Sequence, residues 1–481
     1  MRYSEAFAYI NSFTNYEVTP GMQRDPGLEG LKRVRNLMGL LGNPQDGFKS
    51  VVVAGTKGKG SVVAMLESVL REAGYKTGMY TSPHLHTFRE RIRINGEMIP
   101  PQDMARIVEQ QIKPVAERLR AAGDRSMVPT TYDLATAIAF LYFREMAVDI
   151  AVLEVGLGGR LDAVNIAQPL VSVLTSISMD HMEVLGDTLE KIAFEKAGII
   201  KPGGQVVSAP QHPSAMAVIN RVAAERGAQL TVVGNEVYVS TAHLPEVVYD
   251  DEGIPVYQAF SLAVRLLEDR PEVKLRVKLP LLGSHQEINA AVAVAALGRL
   301  VDKGFIVSKE ELLGGLAKVH WPGRMEIVHR KPVVVVDGAH NVESISKLSQ
   351  AITDLFYKRQ VILVLGVSRD KDIPGIAAEI RAWSQSVLGQ LVERVLVTRS
   401  RHPRAGDPAV VALQLLNQGL TVEVCRDVGE ALDHATALAG SLQKANPSAP
   451  GPVVVVTGSL FVVAEAREHY GLAPDLSDEH A

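Results

Sequence analysis

Short apolar runs rich in β-branched residues, each followed by a helical pattern, constrain this chain more than any other feature. They are V-V-V-A-G at 51–55, T-G-M-Y-T-S at 77–82, I-A-V-L-E-V-G at 150–156, V-S-V-L-T-S-I at 171–177 and Q-V-V-S-A at 205–209. Continuous apolar runs of this length suit strands buried on both faces, hence a parallel sheet covered by helices. The helical pattern at 61–73 carries Val62, Val63, Leu66, Val69 and Leu70 on one stripe, and Gly74 stands where a C-terminal cap belongs. The stretch 229–280 differs. V-K-L-R-V-K-L at 273–279 alternates strictly, with Lys274, Arg276 and Lys278 on one face, which predicts a small, half-exposed antiparallel sheet appended to the parallel one. A helix follows at about 285–300. After K-V-H-W-P-G-R at 318–324, which reads as a linker, strand–helix alternation restarts with runs at 332–338, 361–367, 394–398, 421–425 and 452–458. The expected fold is α/β: a P-loop parallel-sheet domain with the antiparallel addition (1–317), the linker, a second Rossmann-like α/β domain (325–473) and a polar tail (474–481).

Composition narrows the function. At roughly 100–200 residues per domain, 481 residues suggest two or three domains. With 50 Lys and Arg against 54 Asp and Glu, the net charge is −4, which disfavours a nucleic-acid binder that relies on a broad basic surface. One cysteine, Cys425, excludes an intrachain disulfide framework and any cysteine-based zinc or iron–sulfur cluster. The N-terminus lacks the apolar core of a secretory signal, and no run reaches the ~18–20 apolar residues of a membrane helix. The expectation is a soluble cytoplasmic protein that binds neither membrane nor nucleic acid.

The run at 51–55 leads into G-T-K-G-K-G-S, comprising Gly55, Thr56, Lys57, Gly58, Lys59, Gly60 and Ser61, and then into a helix. Strand, glycine loop and helix together form a phosphate cradle: backbone N–H groups turn toward a polyphosphate at the positive helix end, and Lys59 adds a point charge. In open parallel sheets, ligands bind at the carboxyl ends of strands. Ser82, Glu154 and His181 follow three such strands, and all are acceptable Mg²⁺ ligands beside nucleotide phosphates. Asp187 and Glu190 suggest a helix start, after which Leu189, Ile192, Ala193 and Lys196 share one apolar stripe. A lysine on that stripe is either desolvated, with a lowered pKa and a free amine able to form a carbamate, or snorkels to water. D-G-A-H-N at 337–341 opens the second domain; Asp337, His340 and Asn341 serve either a ligand or the caps of a strand–helix turn. Arg324 either reaches the interdomain cleft or lies on the surface.

Together with T-S-P-H-L, L-E-V-G-L-G-G-R-L-D-A-V-N, D-H-M-E-V-L-G-D-T-L-E-K-I-A-F-E-K-A-G-I-I-K, H-Q-E-I-N-A-A and W-P-G-R-M-E, these motifs make the chain resemble the folylpolyglutamate synthase/dihydrofolate synthase family of the ATP-dependent Mur ligase superfamily. The resemblance runs from the N-terminal helix to about residue 470. It implies that Gly55 through Ser61, Asn289, Arg324 and Asp337 contact ATP, and that Ser82, Glu154 and His181 hold magnesium. Lys196 matches the family's carbamylated lysine, and His340 lies beside the phosphates. It further implies that Gly27, Leu28, Glu29, Gly30, Thr130, Thr131, Tyr132, Asp133, Leu161, Asp162 and Ala163 match the regions that hold the pterin. Two Mg²⁺ ions, with a monovalent cation such as K⁺ as a further candidate, are the implied cofactors. ATP, L-glutamate and dihydropteroate or folates are the implied partners of a monomer.

The departures are modest. Lys57 stands where many members have Asn, Tyr132 and Asp133 where Phe and Glu are frequent, Val164 where Thr is usual, and Ser284-His285 where Gly-His or His-His is common. The implied reaction is amide formation through an acyl phosphate, with Lys59, Lys196 and His340 as the catalytic group. A muramyl-peptide ligase is disfavoured because only about 50 residues precede Val51, below the ~100 typical of an extra domain. A nucleotide-binding regulatory module would not need Glu154, His181 and Lys196 together.

Overall fold

The apolar runs become strands, and they build three sheets. The computed structural model describes residues 1–15, 29–240, 245–265, 272–385 and 392–477. The first sheet contains β1 (Lys49–Ala54), β2 (Thr77–Tyr80), β3 (Ile92–Ile94), β4 (Glu97–Met98), β5 (Ile150–Glu154), β6 (Val171–Leu174), β7 (Gln205–Ser208) and β8 (Gln229–Val232), in the order β4-β3-β2-β5-β1-β6-β7-β8. From β2 to β8 it is parallel, while β3 and β4 add an antiparallel edge. Side-chain alternation divides its two faces. Val52, Ala54 and Leu153 enter one core, and Val51, Val53 and Val152 the other. Helices therefore cover both faces.

The second sheet contains β9 (Val237–Val239), β10 (Glu246–Tyr249), β11 (Pro255–Val264) and β12 (Val273–Leu279), all antiparallel to β11. Lys274, Arg276 and Lys278 are exposed and Leu275, Val277 and Leu279 buried, as the alternation predicts. The boundary of this sheet needs correcting. Residues 229–232 form β8, the parallel edge of the first sheet, because Pro213–Glu225 supplies the crossover helix from β7.

The third sheet contains β13 (Glu326–Arg330), β14 (Val333–Val336), β15 (Val361–Leu365), β16 (Val392–Val397), β17 (Val422–Val424) and β18 (Val453–Thr457), in the order β13-β14-β18-β15-β16-β17. Only β13 is antiparallel, as a hairpin partner of β14. Val333 and Val335 face one core, Val334 and Val336 the other. The segment 318–324 is packed rather than loose: Val319 is buried, Trp321 lies against the first lobe's core, and Lys318 pairs with Glu72 at 2.6 Å.

Candidate active site

Strand β1 ends at Ala54, and the chain turns through residues 55–58 into the helix Lys59–Glu72. Gly58 makes this turn at φ 87°, and a Cβ there would collide with the Asn289 side chain. A Cβ on Gly60 would stand 2.8 Å from the Trp321 ring. The loop is pinned from behind: Thr56 N–H donates to Ser176 O (2.8 Å), and Thr56 Oγ1 donates to Ser178 O (3.1 Å).

Two amines converge on the loop. Lys59 Nζ and Lys196 Nζ donate to the same Gly55 carbonyl at 3.1 and 3.0 Å. Lys196 lies on the buried side of the helix Leu189–Ala197, where its periodicity put it, and is 4% exposed. Burial, reinforced by nearby Lys59, lowers its pKa to about 7. The start of this helix differs from expectation. Thr188 is the cap, accepting from Lys191 N–H, while Asp187 pairs with the Lys191 amine at 2.8 Å. Threonine at position 188 has the extended backbone a cap requires.

Ser82, Glu154 and His181 share one cavity of about 270 Å³ with the whole glycine loop. Ser82 N–H donates to Glu154 Oε2 at 3.2 Å. Glu154 is 6% exposed, and desolvation raises its pKa despite the opposing charges of Lys59 and Arg324. A buried carboxylate with this neighbouring hydroxyl suits a hard cation, so the donor set fits Mg²⁺. His181 begins the short helix Met182–Leu185 in the left-handed region, φ 50°, which few non-glycine residues occupy.

The second lobe closes the cavity with Arg324, Asp337, His340 and Lys347. Asp337 braces the turn: its carboxylate accepts Met325 N–H and Ala339 N–H, both at 2.9 Å. Asn341 caps the helix Val342–Leu355 by accepting from Ser344 N–H. His340 Nδ1 lies 2.8 Å from Gly338 O, and burial lowers its pKa to about 3. Asn289 lies on Ser284–Val301, where its amide donates to Gln286 Oε1 at 2.9 Å.

Lys57, Lys59, Lys196, Arg324 and Lys347 line the cavity against Glu154, Asp180 and Asp337, five basic side chains to three acidic ones. The cavity histidines, His181, His285 and His340, all have lowered pKa values. The balance favours a polyanion. Asp180 is the residue whose role the sequence did not assign. It pairs with Lys57 at 3.0 Å, accepts from Asn341 of the second lobe at 3.5 Å, and its pKa is lowered chiefly by Lys57 against the cost of burial.

Several of the residues matched to the pterin region fix the helix Thr131–Glu145 and the loop that follows Glu154. Thr130 and Asp133 form a capping box for Thr131–Glu145, and Asp133 also pairs with Arg33 at 2.7 Å. Thr131 Oγ1 donates to Ile10 O and Phe13 O, both at 3.2 Å. Tyr132 OH donates to Asp162 Oδ1 at 3.3 Å, and Asp162 Oδ2 accepts Gly156 and Leu157 N–H at 3.0 Å. Asp162 thereby fixes the loop that follows Glu154. Leu161 is half-buried and Ala163 buried beside it. Gly27 and Leu28 lie outside the described residues; Glu29 and Gly30 begin the helix Glu29–Leu40.

Residues 53–297 match the Mur ligase middle domain and residues 323–460 the Mur ligase glutamate ligase domain. The dihydrofolate synthase/folylpolyglutamate synthase of Bacillus subtilis (strain 168) is 38% identical over 389 residues, 80% of this chain and 84% of its own. This chain belongs to the folylpolyglutamate synthase/dihydrofolate synthase family of Mur ligases. A structure of Mycobacterium tuberculosis folylpolyglutamate synthase complexed with ADP superposes with a TM-score of 0.84 at 31% identity, covering 98% of this chain and 99% of that one. A structure of E. coli FolC in complex with DHPP and ADP gives 0.76 at 30%, covering 97% of each. As a folylpolyglutamate synthase/dihydrofolate synthase family member, the chain is an ATP-dependent, amide-forming ligase. Among the described residues, no helix is long and apolar enough to cross a membrane.

Proposed function

We propose that this chain joins L-glutamate to dihydropteroate and to tetrahydrofolate and its polyglutamates, as a bifunctional, monomeric, cytoplasmic enzyme. The observation that carries the reading is the basic cavity, with the glycine loop on one lobe and Arg324, His340 and Lys347 on the other. Relatives named for both activities support the bifunctional form.

A substrate carboxylate oxygen attacks the γ-phosphorus of ATP, the bond to the bridging oxygen breaks, and ADP leaves. The glutamate nitrogen then attacks the acyl carbon, phosphate departs, and the amine gives its proton to solvent. The loop N–H groups, Lys59 and Arg324 hold the charge that develops on the transferring phosphoryl group. His340, neutral at physiological pH, presents its ring to the phosphates without adding charge. Asn289 holds the loop face at Gly58, and Asp337 fixes the turn that carries Arg324. Ser82, Glu154 and His181 would hold Mg²⁺, which neutralises phosphate charge; a second Mg²⁺ and a monovalent cation such as K⁺ belong to the same reading. With its pKa near 7, the Lys196 amine is available to attack CO₂ and, on losing a proton, become a carbamate. Tyr132 and Asp162, with Thr130, Thr131, Asp133, Leu161 and Ala163, shape the acceptor side. The segment 318–324 hinges the lobes, and closure keeps water from the acyl phosphate.

Purified protein with ATP, Mg²⁺, glutamate and either dihydropteroate or tetrahydrofolate tests the proposal, with the products weighed by mass spectrometry. Both acceptors should gain glutamate with matching ADP release. Extension of tetrahydrofolate alone reduces the assignment to a single activity, and extension of neither refutes it.

A further inference from the structure

Away from the cavity, the outer edge of the third sheet brings three different metal-binding side chains together. Glu423 lies in β17 and Cys425 directly after it, two residues apart and so on the same side of an extended chain. His434 comes from the helix Val428–Ala445 that packs beside them. A carboxylate oxygen, the thiol sulfur and a ring nitrogen all lie within 4.8 Å of one another. Glu423 Oε1 is 2.7 Å from His434 Nδ1, and its other oxygen is 3.4 Å from Arg394. Cys425 is buried, whereas His434 is half-exposed and leaves an approach from solvent.

The local field suits a cation. Burial, together with Glu423, Glu430 and Asp427, raises the Cys425 thiol to about 11. Glu423, Glu430 and Asp427 attract a positive ion beside the sulfur, against Arg394, 3.4 Å from Glu423, and Arg426, 3.0 Å from Asp427. Sulfur, imidazole nitrogen and one carboxylate form a softer set than the oxygen-rich donors magnesium requires. Tetrahedral coordination with bonds of roughly 2.0–2.3 Å spaces ligand atoms by about 3.3–3.8 Å, so the sulfur draws in by up to about an ångström while the Glu423–His434 pair opens slightly, which rotation of the exposed histidine accommodates.

We propose that Glu423, Cys425 and His434 form a binding site for a divalent transition-metal ion of the zinc class, separate from the nucleotide cavity. Water completes the coordination, and the ion ties the edge strand to the helix. As the metal–sulfur bond forms, the thiol proton passes to solvent; the Nδ1 proton that His434 shares with Glu423 is also given up while solvent-facing Nε2 takes one, and the neutral imidazole then donates its Nδ1 lone pair. None of the three residues lines the nucleotide cavity.

Cobalt(II) titration of the reduced, metal-stripped full chain tests this. Cys425 is the only cysteine, so a thiolate-to-cobalt charge-transfer band reports this site alone, and an ion held beside Glu154 gives none. The band should saturate at one equivalent, disappear on zinc addition and be absent from Cys425→Ser. His434→Ala should weaken cobalt binding by about tenfold or more. Circular dichroism and ligase activity, unchanged in Cys425→Ser, exclude misfolding. No band from protein whose thiol is shown to be free overturns the proposal and leaves an ordinary histidine–glutamate pair. A band equally strong in His434→Ala and Glu423→Gln overturns it as well, because other groups then hold the ion.

Discussion

Glu287, in the first turn of Ser284–Val301, is 8% exposed, and desolvation raises its carboxyl pKa from 4.5 to about 6. Between those values the folded chain retains a proton that the unfolded chain has lost, so stability falls as pH rises through this window. Above it, a shift of this size costs about 2 kcal/mol. Glu287→Gln should therefore be more stable than the parent by about 2 kcal/mol at pH 7.5, with the gain shrinking toward pH 4.5. Urea unfolding at several pH values measures this, and a gain independent of pH contradicts it. Lys196 was legible at this scale because helical periodicity alone puts it on an apolar stripe. Asp180 was not. Its partners Lys57 and Asn341 lie 123 and 161 positions away, and a loop residue carries no periodicity. Thr130 and Asp133 show the converse: the family motif marks their positions, while their described hydrogen bonds cap a helix, a contribution of about 1 kcal/mol.

The unit β1, glycine loop and helix Lys59–Glu72 was readable in full, because glycine spacing and flanking apolar patterns point the same way. Gly58→Ala should lower kcat/KM for ATP by about tenfold or more, since a left-handed alanine is strained by about 1–2 kcal/mol and also meets Asn289. Steady-state kinetics with varied ATP decides it, and a change below twofold contradicts the loop geometry. Other elements were hidden. Strands β3 and β4 span three and two residues, too few to show a pattern, and β13 carries charged residues at both ends, so no continuous apolar run announces them. Q-L-T-V in β8 alternates polar and apolar residues like an antiparallel strand; what decides its sheet is the crossover helix before it.

For the whole molecule, the two-lobed plan followed from the restart of strand–helix alternation, but the way the lobes meet did not. Asn341 reaches Asp180, His86 Nε2 lies 3.2 Å from Ala464 O, and Trp321 packs on Gly60. These contacts join residues far apart in sequence, and only the folded chain reveals them. They place charged groups of both lobes around one cavity, which is what activation of a carboxylate by a triphosphate requires. The direct measurement uses an acceptor whose reacting carboxylate is labelled with oxygen-18, together with ATP, Mg²⁺ and glutamate, and follows the released phosphate by mass spectrometry. Activation through an acyl phosphate predicts one labelled oxygen in each phosphate. Phosphate released without label, while the amide forms, contradicts the account.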